Sequence, residues 1–352
     1  MRDWENNIRK VVPYTPGEQP KNTCVIKLNT NENPYPPAPG VKEVLSNFNT
    51  DDLRLYPDPK VDKLVNAIAD FYKIDSSKVF VGVGSDDVLA MIFMTFFNSK
   101  KPILFPDITY SFYDVWADML RIPFETKALD DDFQIRKEDY YGDNGGVVFP
   151  NPNAPTGILM PLSEIEDIIA HNRDVIVVVD EAYIDFGGVS ALPLIEKYDN
   201  LLVVQTFSKS HSLAGMRLGF AMGNEKLIRY INDVKYSFNS YTLNQTALVL
   251  GVQAIRDREY FEETCAKVIA TREWTKCELK KLGFSFGDSM SNFIFATHER
   301  VPAKEIFEAL REHNIFVRYF SKPRISNYLR ISIGTQQEME RLTAFLAVFL
   351  GE

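Results

Sequence analysis

Lys209 lies in the stretch Thr206-Phe207-Ser208-Lys209-Ser210-His211-Ser212, one amine among hydroxyls, and Arg217 closes the same segment. Hydroxyl donors and a guanidinium can hold a phosphate while the lysine reaches a partner, so Thr206, Ser208 and Arg217 are candidate anion ligands. Upstream, Asp180-Glu181-Ala182-Tyr183 follows the β-branched run 175–179. A carboxylate at the C-terminal lip of a buried strand stands where open α/β sheets put their ligand sites. A third segment, Gly84-Ser85-Asp86-Asp87, joins the apolar run 79–83 to the apolar stretch 88–97. Strand, small residues, then a helix start is an order that aims backbone N–H groups at an anion, which makes Ser85 and Asp86 candidates too. Tyr110, in the loop after 103–105, can cover a flat ligand.

A lysine, a carboxylate and a phosphate cradle are the three protein contributions that a pyridoxal phosphate cofactor requires. Lys209 would form the Schiff base, Asp180 would pair with the pyridine N–H, and Tyr183 would donate to the ring oxygen. Lysine suits two tasks, nucleophile toward an aldehyde and, once released, base for a proton shift. The plainer reading makes Lys209 a solvated lysine and Asp180 a helix cap. Their joint order argues against it, because a strand-end Asp-x-x-Tyr followed by a second strand and Ser-Lys…Arg is a many-part constraint.

These side chains need a scaffold that brings strand ends together. Short apolar runs at 79–83, 103–105, 147–149, 175–179, 201–204 and 218–223 alternate with helical patterns, the mark of an α/β chain with buried parallel strands. A helix is expected over 61–71, and Ser163…Glu166 matches a capping box opening a helix with Ile165, Ile168 and Ile169 inward. Pro150-Asn151-Pro152-Asn153-Ala154-Pro155-Thr156-Gly157 is a rigid loop able to hold a cis proline. Helical patterns run from 225 to about 281, and the spacing over 260–282 predicts a long helix bridging two domains. The tail reads strand (292–295), helix (303–313), strand (315–318), strand (328–333), helix (336–349), a compact α+β unit. Residues 1 to about 30, punctuated by Pro13, Pro16 and Pro20, predict an extended arm, and 28–37 a polar, proline-rich loop.

The 352 residues allow a sizeable core and two domains, and 45% hydrophobic with 25% charged residues is a globular composition. A formal net charge of -9, without a basic block, argues against nucleic-acid binding. Three scattered cysteines, Cys24, Cys265 and Cys277, signal neither a disulfide framework nor a metal site and point to a reducing cytoplasm. No apolar run is long enough to span a bilayer.

The chain resembles the fold-type I pyridoxal-phosphate aminotransferases, and among them the histidinol-phosphate aminotransferase family, over nearly its whole length. The resemblance rests on Leu28-Asn29-Thr30-Asn31-Glu32-Asn33-Pro34, Arg54-Leu55-Tyr56-Pro57, Pro152-Asn153-Ala154-Pro155-Thr156-Gly157, Asp180-Glu181-Ala182-Tyr183, Thr206-Phe207-Ser208-Lys209 through Arg217, and Tyr328-Leu329-Arg330-Ile331-Ser332. It implies a large domain (45–255) with a mostly parallel seven-stranded sheet flanked by helices. A smaller α+β domain (28–44 with 256–352) and an N-terminal arm (1–27) complete the expected fold. It implies a homodimer in which Tyr56 crosses to the partner's cofactor phosphate while Ser85, Asp86, Thr206, Ser208 and Arg217 hold that phosphate within the subunit, and Tyr110 stacks on the ring. Arg330 would take the carboxylate of L-glutamate and the phosphate of histidinol phosphate in turn, with Arg318 and Tyr14, the latter from the partner's arm, adding to the phosphate site and Asn31 to the substrate site. Where the family has asparagine before Pro-Thr-Gly, this chain has Ala154; Asn153 is expected to take that contact to the ring oxygen, with Tyr183 alone the alternative. The implied reaction moves an amino group from L-glutamate to imidazole acetol phosphate by a ping-pong cycle. An aromatic aminotransferase, a threonine-phosphate decarboxylase, or a phosphate-binding module without chemistry are the other readings.

Overall fold

The computed structural model describes residues 2–21 and 25–351. In chain order its strands are β1 (Ile26–Leu28), β2 (Val79–Gly82), β3 (Ile103–Pro106), β4 (Phe124–Lys127), β5 (Gly146–Pro150), β6 (Val177–Asp180), β7 (Leu201–Thr206), β8 (Gly219–Gly223), β9 (Phe284–Phe286), β10 (Phe293–His298), β11 (Ile315–Tyr319) and β12 (Leu329–Ser332). Seven form one sheet in the order β2-β8-β7-β6-β5-β3-β4, parallel except that β8 runs against both its neighbours. Five form a second sheet, β1-β11-β12-β10-β9, in which only the β1–β11 pair is parallel.

The central strands are apolar without interruption because both faces of the large sheet are covered. Successive side chains point to opposite faces. Val147, Phe149, Val177, Val179, Leu201 and Val203 therefore pack with the helices Asp62–Tyr72, Leu162–His171 and Gln245–Arg256. Val148, Val178, Leu202 and Val204 pack with Gly84–Phe96 and Tyr113–Leu120 on the other side. A separate core joins Ile26, Leu28, Val268, Ile306, Ile331 and Leu342 under the second sheet. The helix Arg258–Lys281 reaches both, with Tyr260 against the first core and Val268 and Leu279 in the second.

The structure departs from the sequence expectation at several elements. The helix expected to open on Ser163 begins at Leu162 behind Pro161, with no side-chain cap; a capping box is found instead at Thr335 with Glu338, at the start of Gln336–Leu350. Residues 26 and 27, placed in the arm, form part of β1 and pair with Ile315 and Phe316. Residues 39–44, expected with the C-terminal unit, lie in the helix Pro39–Ser46, whose Val41 joins the core of the large sheet. β1, β4 and β9 had no sequence signal, since each is a short edge strand with at most one buried face. Cys24 lies outside the described residues.

Candidate active site

Parallel strands β6 and β7 end side by side at Asp180 and Thr206, and antiparallel β8 begins at the same edge, with Gly219 opposite both Thr206 and Gly82. The helix Gly84–Phe96 starts there, and a Cβ on Gly219 would lie 2.2 Å from the Ser85 backbone nitrogen. Only glycine lets the helix N-terminus approach the strand so closely. Gly84 adopts φ +83, and a Cβ on it would meet Arg217 Nη2 at 2.6 Å. The two glycines and the first-turn N–H groups thus leave a corner for an anion, with Arg217 over it.

Arg217 Nη2 is 3.1 Å from Asp86 Oδ2, and its Nη1 donates to Ser208 Oγ at 3.4 Å. Tyr110 donates to the other Asp86 oxygen at 2.6 Å, so its ring hangs at the edge of the same corner. Ser85, Asp86, Ser208, Arg217 and Tyr110 are therefore together as the sequence suggested. Thr206 borders them but is spent on the main chain: its Oγ1 donates to the Leu218 carbonyl and accepts from the Ser208 N–H, which shapes the turn and leaves no proton for an anion.

Asp180 is buried, and burial pushes its carboxyl up to about 6, opposed by the hydrogen bonds from Tyr113 and the Ala182 N–H and by the charge of Lys209. Lys209 Nζ donates to the Thr30 carbonyl at 3.1 Å and stands 5.6 Å from the centre of the Tyr183 ring. Tyr183 OH accepts from Asn31 Nδ2 at 3.0 Å, which leaves its own proton to donate. Asn31 is itself pinned by Ser332 and Asn292.

The loop 29–33 emerges as the organiser of this side. The Asn29 carbonyl accepts from Arg330, the Thr30 carbonyl from Lys209, Asn31 reaches Tyr183, and Asn33 Nδ2 donates to the carbonyls of Lys209 and Ser210. Asn33 and Tyr113 were not assigned from sequence. Asn33 stood in a motif without a role, and Tyr113 carried one signal, its spacing of three from Tyr110.

Arg330 and Arg318 face each other directly across β12 and β11. Like charges in that position repel. Burial lowers the Arg330 guanidinium and Arg318 lowers it further; its Nε is buried with no hydrogen-bond partner. Among the described residues neither arginine forms an ion pair; Arg318 donates to the Thr15 and Pro16 carbonyls of the arm at 3.3 and 3.4 Å and lies 5.7 Å from the centre of the Phe320 ring. Tyr14 stacks on Phe112 of its own chain with ring centroids 4.2 Å apart, in the wall of a cleft that Arg318 also lines. Within the single chain the arm thus brings Tyr14 into the same cleft as Arg318.

One assignment does not join the group. Asn153 spends both amide hydrogens on the Ile108 carbonyl and Thr156 Oγ1 and accepts from Thr109, so it ties the loop 150–157 together instead of offering a donor. Tyr56, expected to act at the partner's phosphate, is 82% exposed and packs against Tyr241 with ring centroids 4.7 Å apart.

An amine, a buried carboxylate and an anion corner at one sheet end could hold a phosphorylated aldehyde whose ring nitrogen needs a carboxylate. The model of the aminotransferase class I and II family matches residues 23–346. The chain is 52% identical over 337 residues to the histidinol-phosphate aminotransferase of Clostridium botulinum strain Langeland, covering 96% of this chain and 95% of that protein. The chain belongs to the class I and II aminotransferases, in the histidinol-phosphate aminotransferase family. The enzyme of that name from Brachyspira hyodysenteriae is 53% identical, with 94% of each chain covered. The crystal structure of histidinol-phosphate aminotransferase from Sinorhizobium meliloti in complex with pyridoxal-5'-phosphate superposes with a TM-score of 0.85 at 22% identity, covering 93% of this chain and 91% of that one, and it shares the aminotransferase fold.

Proposed function

We propose that this aminotransferase moves the amino group between L-glutamate and imidazole acetol phosphate, giving L-histidinol phosphate and 2-oxoglutarate, with pyridoxal 5'-phosphate as cofactor. One observation carries the substrate class: Arg318 and Arg330, paired across two strands with no carboxylate between them, call for an anion. A guanidinium fork accepts a carboxylate or a phosphate equally well, so the same pair can serve both substrates in turn. An aromatic substrate would instead need an apolar surface there.

The cofactor when bound supplies an electron sink for the substrate Cα. Lys209, Asp180, the Asp86–Arg217 corner with Ser85 and Ser208, and Tyr110 would hold it. Lys209 Nζ, drawn off the Thr30 carbonyl, takes and returns the proton at the substrate Cα. Tyr183, whose hydroxyl keeps its proton, would donate to the ring oxygen, the role that Asn153 leaves open. Asn31 orients Tyr183 beside the substrate, and Thr206 keeps the turn that presents Ser208.

The working unit is a homodimer in this reading, supported by the exposed apolar group Leu53, Leu55, Tyr56, Phe238 and Tyr241. Tyr56 would reach the partner's phosphate corner from that surface. A reducing cytoplasmic location agrees with the two described cysteines being free, and among the described residues no helix is long and apolar enough to cross a membrane. Borohydride reduction of the purified protein followed by peptide mapping tests the chemistry. A pyridoxyl group on Lys209 is expected, and an unmodified lysine would remove the enzyme reading. An assay comparing histidinol phosphate with phenylalanine tests the substrate, and preference for phenylalanine would favour the aromatic alternative.

A further inference from the structure

Two tyrosines three residues apart reach two different carboxylates. Tyr110 donates to Asp86, and Tyr113, the first residue of the helix Tyr113–Leu120, donates to Asp180 Oδ2 at 2.9 Å. The two acceptors differ. Asp86 already has Arg217 on its second oxygen, so its charge is compensated within the chain. Asp180 has only neutral donors, the Tyr113 hydroxyl on one oxygen and the Ala182 N–H on the other at 3.2 Å. Tyr113 is fully buried among Phe93, Phe105, Tyr110 and Trp116, where a hydroxyl needs a partner but a main-chain carbonyl would serve as well. A hydrogen bond to a carboxylate instead favours its charged form and fixes one oxygen in space.

We infer that Tyr113 is a positioning residue that holds the Asp180 carboxylate oriented and ionised for a protonated ring nitrogen. The inference rests on the cofactor reading above. Asp180 faces Asp86, which raises its carboxyl, Lys209, which lowers it, and the hydroxyls of Tyr110 and Tyr113, the latter in turn facing Tyr183. Burial is the largest influence and acts upward, and the Tyr113 hydrogen bond is the foremost influence against it. Removing that hydroxyl moves the carboxyl further up, so Asp180 becomes neutral at a higher pH. Pairing with the ring nitrogen is then lost earlier as the pH falls.

The experiment titrates apoprotein with pyridoxal 5'-phosphate, followed by protein fluorescence, between pH 6 and 8.5 in the wild type and in Tyr113→Phe. Ionisations of the ligand are common to both proteins and cancel in the ratio of dissociation constants. That ratio is expected near one at pH 8.5 and about tenfold at pH 6, as the loss of one hydrogen bond to a charged group implies. In an Asp180→Asn background the same substitution should produce no pH-dependent change. Tyr113→3,5-difluorotyrosine, a stronger donor of the same shape, should shift the wild-type curve toward lower pH, and it decides the matter if Tyr113→Phe does not fold. Parallel curves for all three proteins would overturn the role of Tyr113 alone, whereas a wild type that binds no cofactor at any pH would overturn the reading beneath it as well.

Discussion

The two ends of the large sheet use polar residues in opposite ways. At the C-terminal end Asp180 and Glu181 are buried acids and Asp185 a half-buried one, pushed up by desolvation to about 6, 7 and 6 respectively. At the N-terminal end the buried polar residues are neutral amides locked to the chain: Asn144 donates to Asn172 at 2.7 Å, Asn172 to the Tyr140 carbonyl at 2.8 Å, and Asn200 to the Asn172 carbonyl at 2.9 Å. A cavity of about 1040 Å³ lies at this second end, rimmed by surface ion pairs such as Lys101 with Asp143 and Arg173 with Asp199. Volume therefore misleads in this molecule. Asn144 and Asn172 have their amide hydrogen bonds met, only the Asn200 side-chain oxygen of the three amides lacks a partner, and the buried ionisable groups at the other end retain an unspent interaction.

The contrast can be broken most directly at Lys209. Lys209→Ala is expected to lower the transamination rate by about 10⁴-fold or more, since nucleophile and base are lost together, while the denaturation midpoint stays near that of the wild type. A rate within tenfold of the wild type would place the chemistry elsewhere.

Next in size is a pH effect confined to the acidic end. Acids whose folded pKa is raised hold protons in the native state that the unfolded chain has already lost. Stability of the apoprotein should therefore fall as pH rises from about 5 to 8, by about 5 kcal/mol for shifts of this order. Denaturant midpoints across that range check it, and a flat profile would mean that these acids are better compensated than their burial implies.

Arg330→Ala should raise KM for glutamate about 100-fold with a smaller change in kcat, because a charge-assisted fork is lost. Asn172→Ala, at the other end, should cost about 2 kcal/mol of stability by orphaning its partners, with kcat and KM unchanged. Any loss of rate per folded molecule there would erase the distinction between the two ends. Arg173→Ala removes one exposed ion pair and is expected to change stability by less than about 1 kcal/mol and activity not at all.

How far the site was legible depended on the distance over which each residue acts. Asp180, Lys209 and the Gly84-Ser85-Asp86 segment announce themselves because a polar group directly after an apolar strand is a local pattern, and strand ends converge in any parallel sheet. Thr206 and Asn153 were given ligand roles by type and place. Their hydrogen bonds instead go to the Leu218 and Ile108 carbonyls, which no local pattern reveals. Tyr113, Asn33 and Asn31 act on Asp180, Lys209 and Tyr183 across separations of 67, 176 and 152 residues.

From the order of its residues alone the chain determined its family, its α/β class and the amine, carboxylate and hydroxyl groups gathered at the candidate site, because each is written within a few consecutive positions. Only the tertiary structure decided which side chains are spent and which are free. Arg318 came to face Arg330 through strand pairing, the carbonyl of Thr30 came to hold Lys209, and the hydroxyl of Tyr113 came to rest on Asp180. Each of these follows from how distant segments pack, and a hydrogen bond has a single taker for its proton, so the choice is made only when all the competitors are in place.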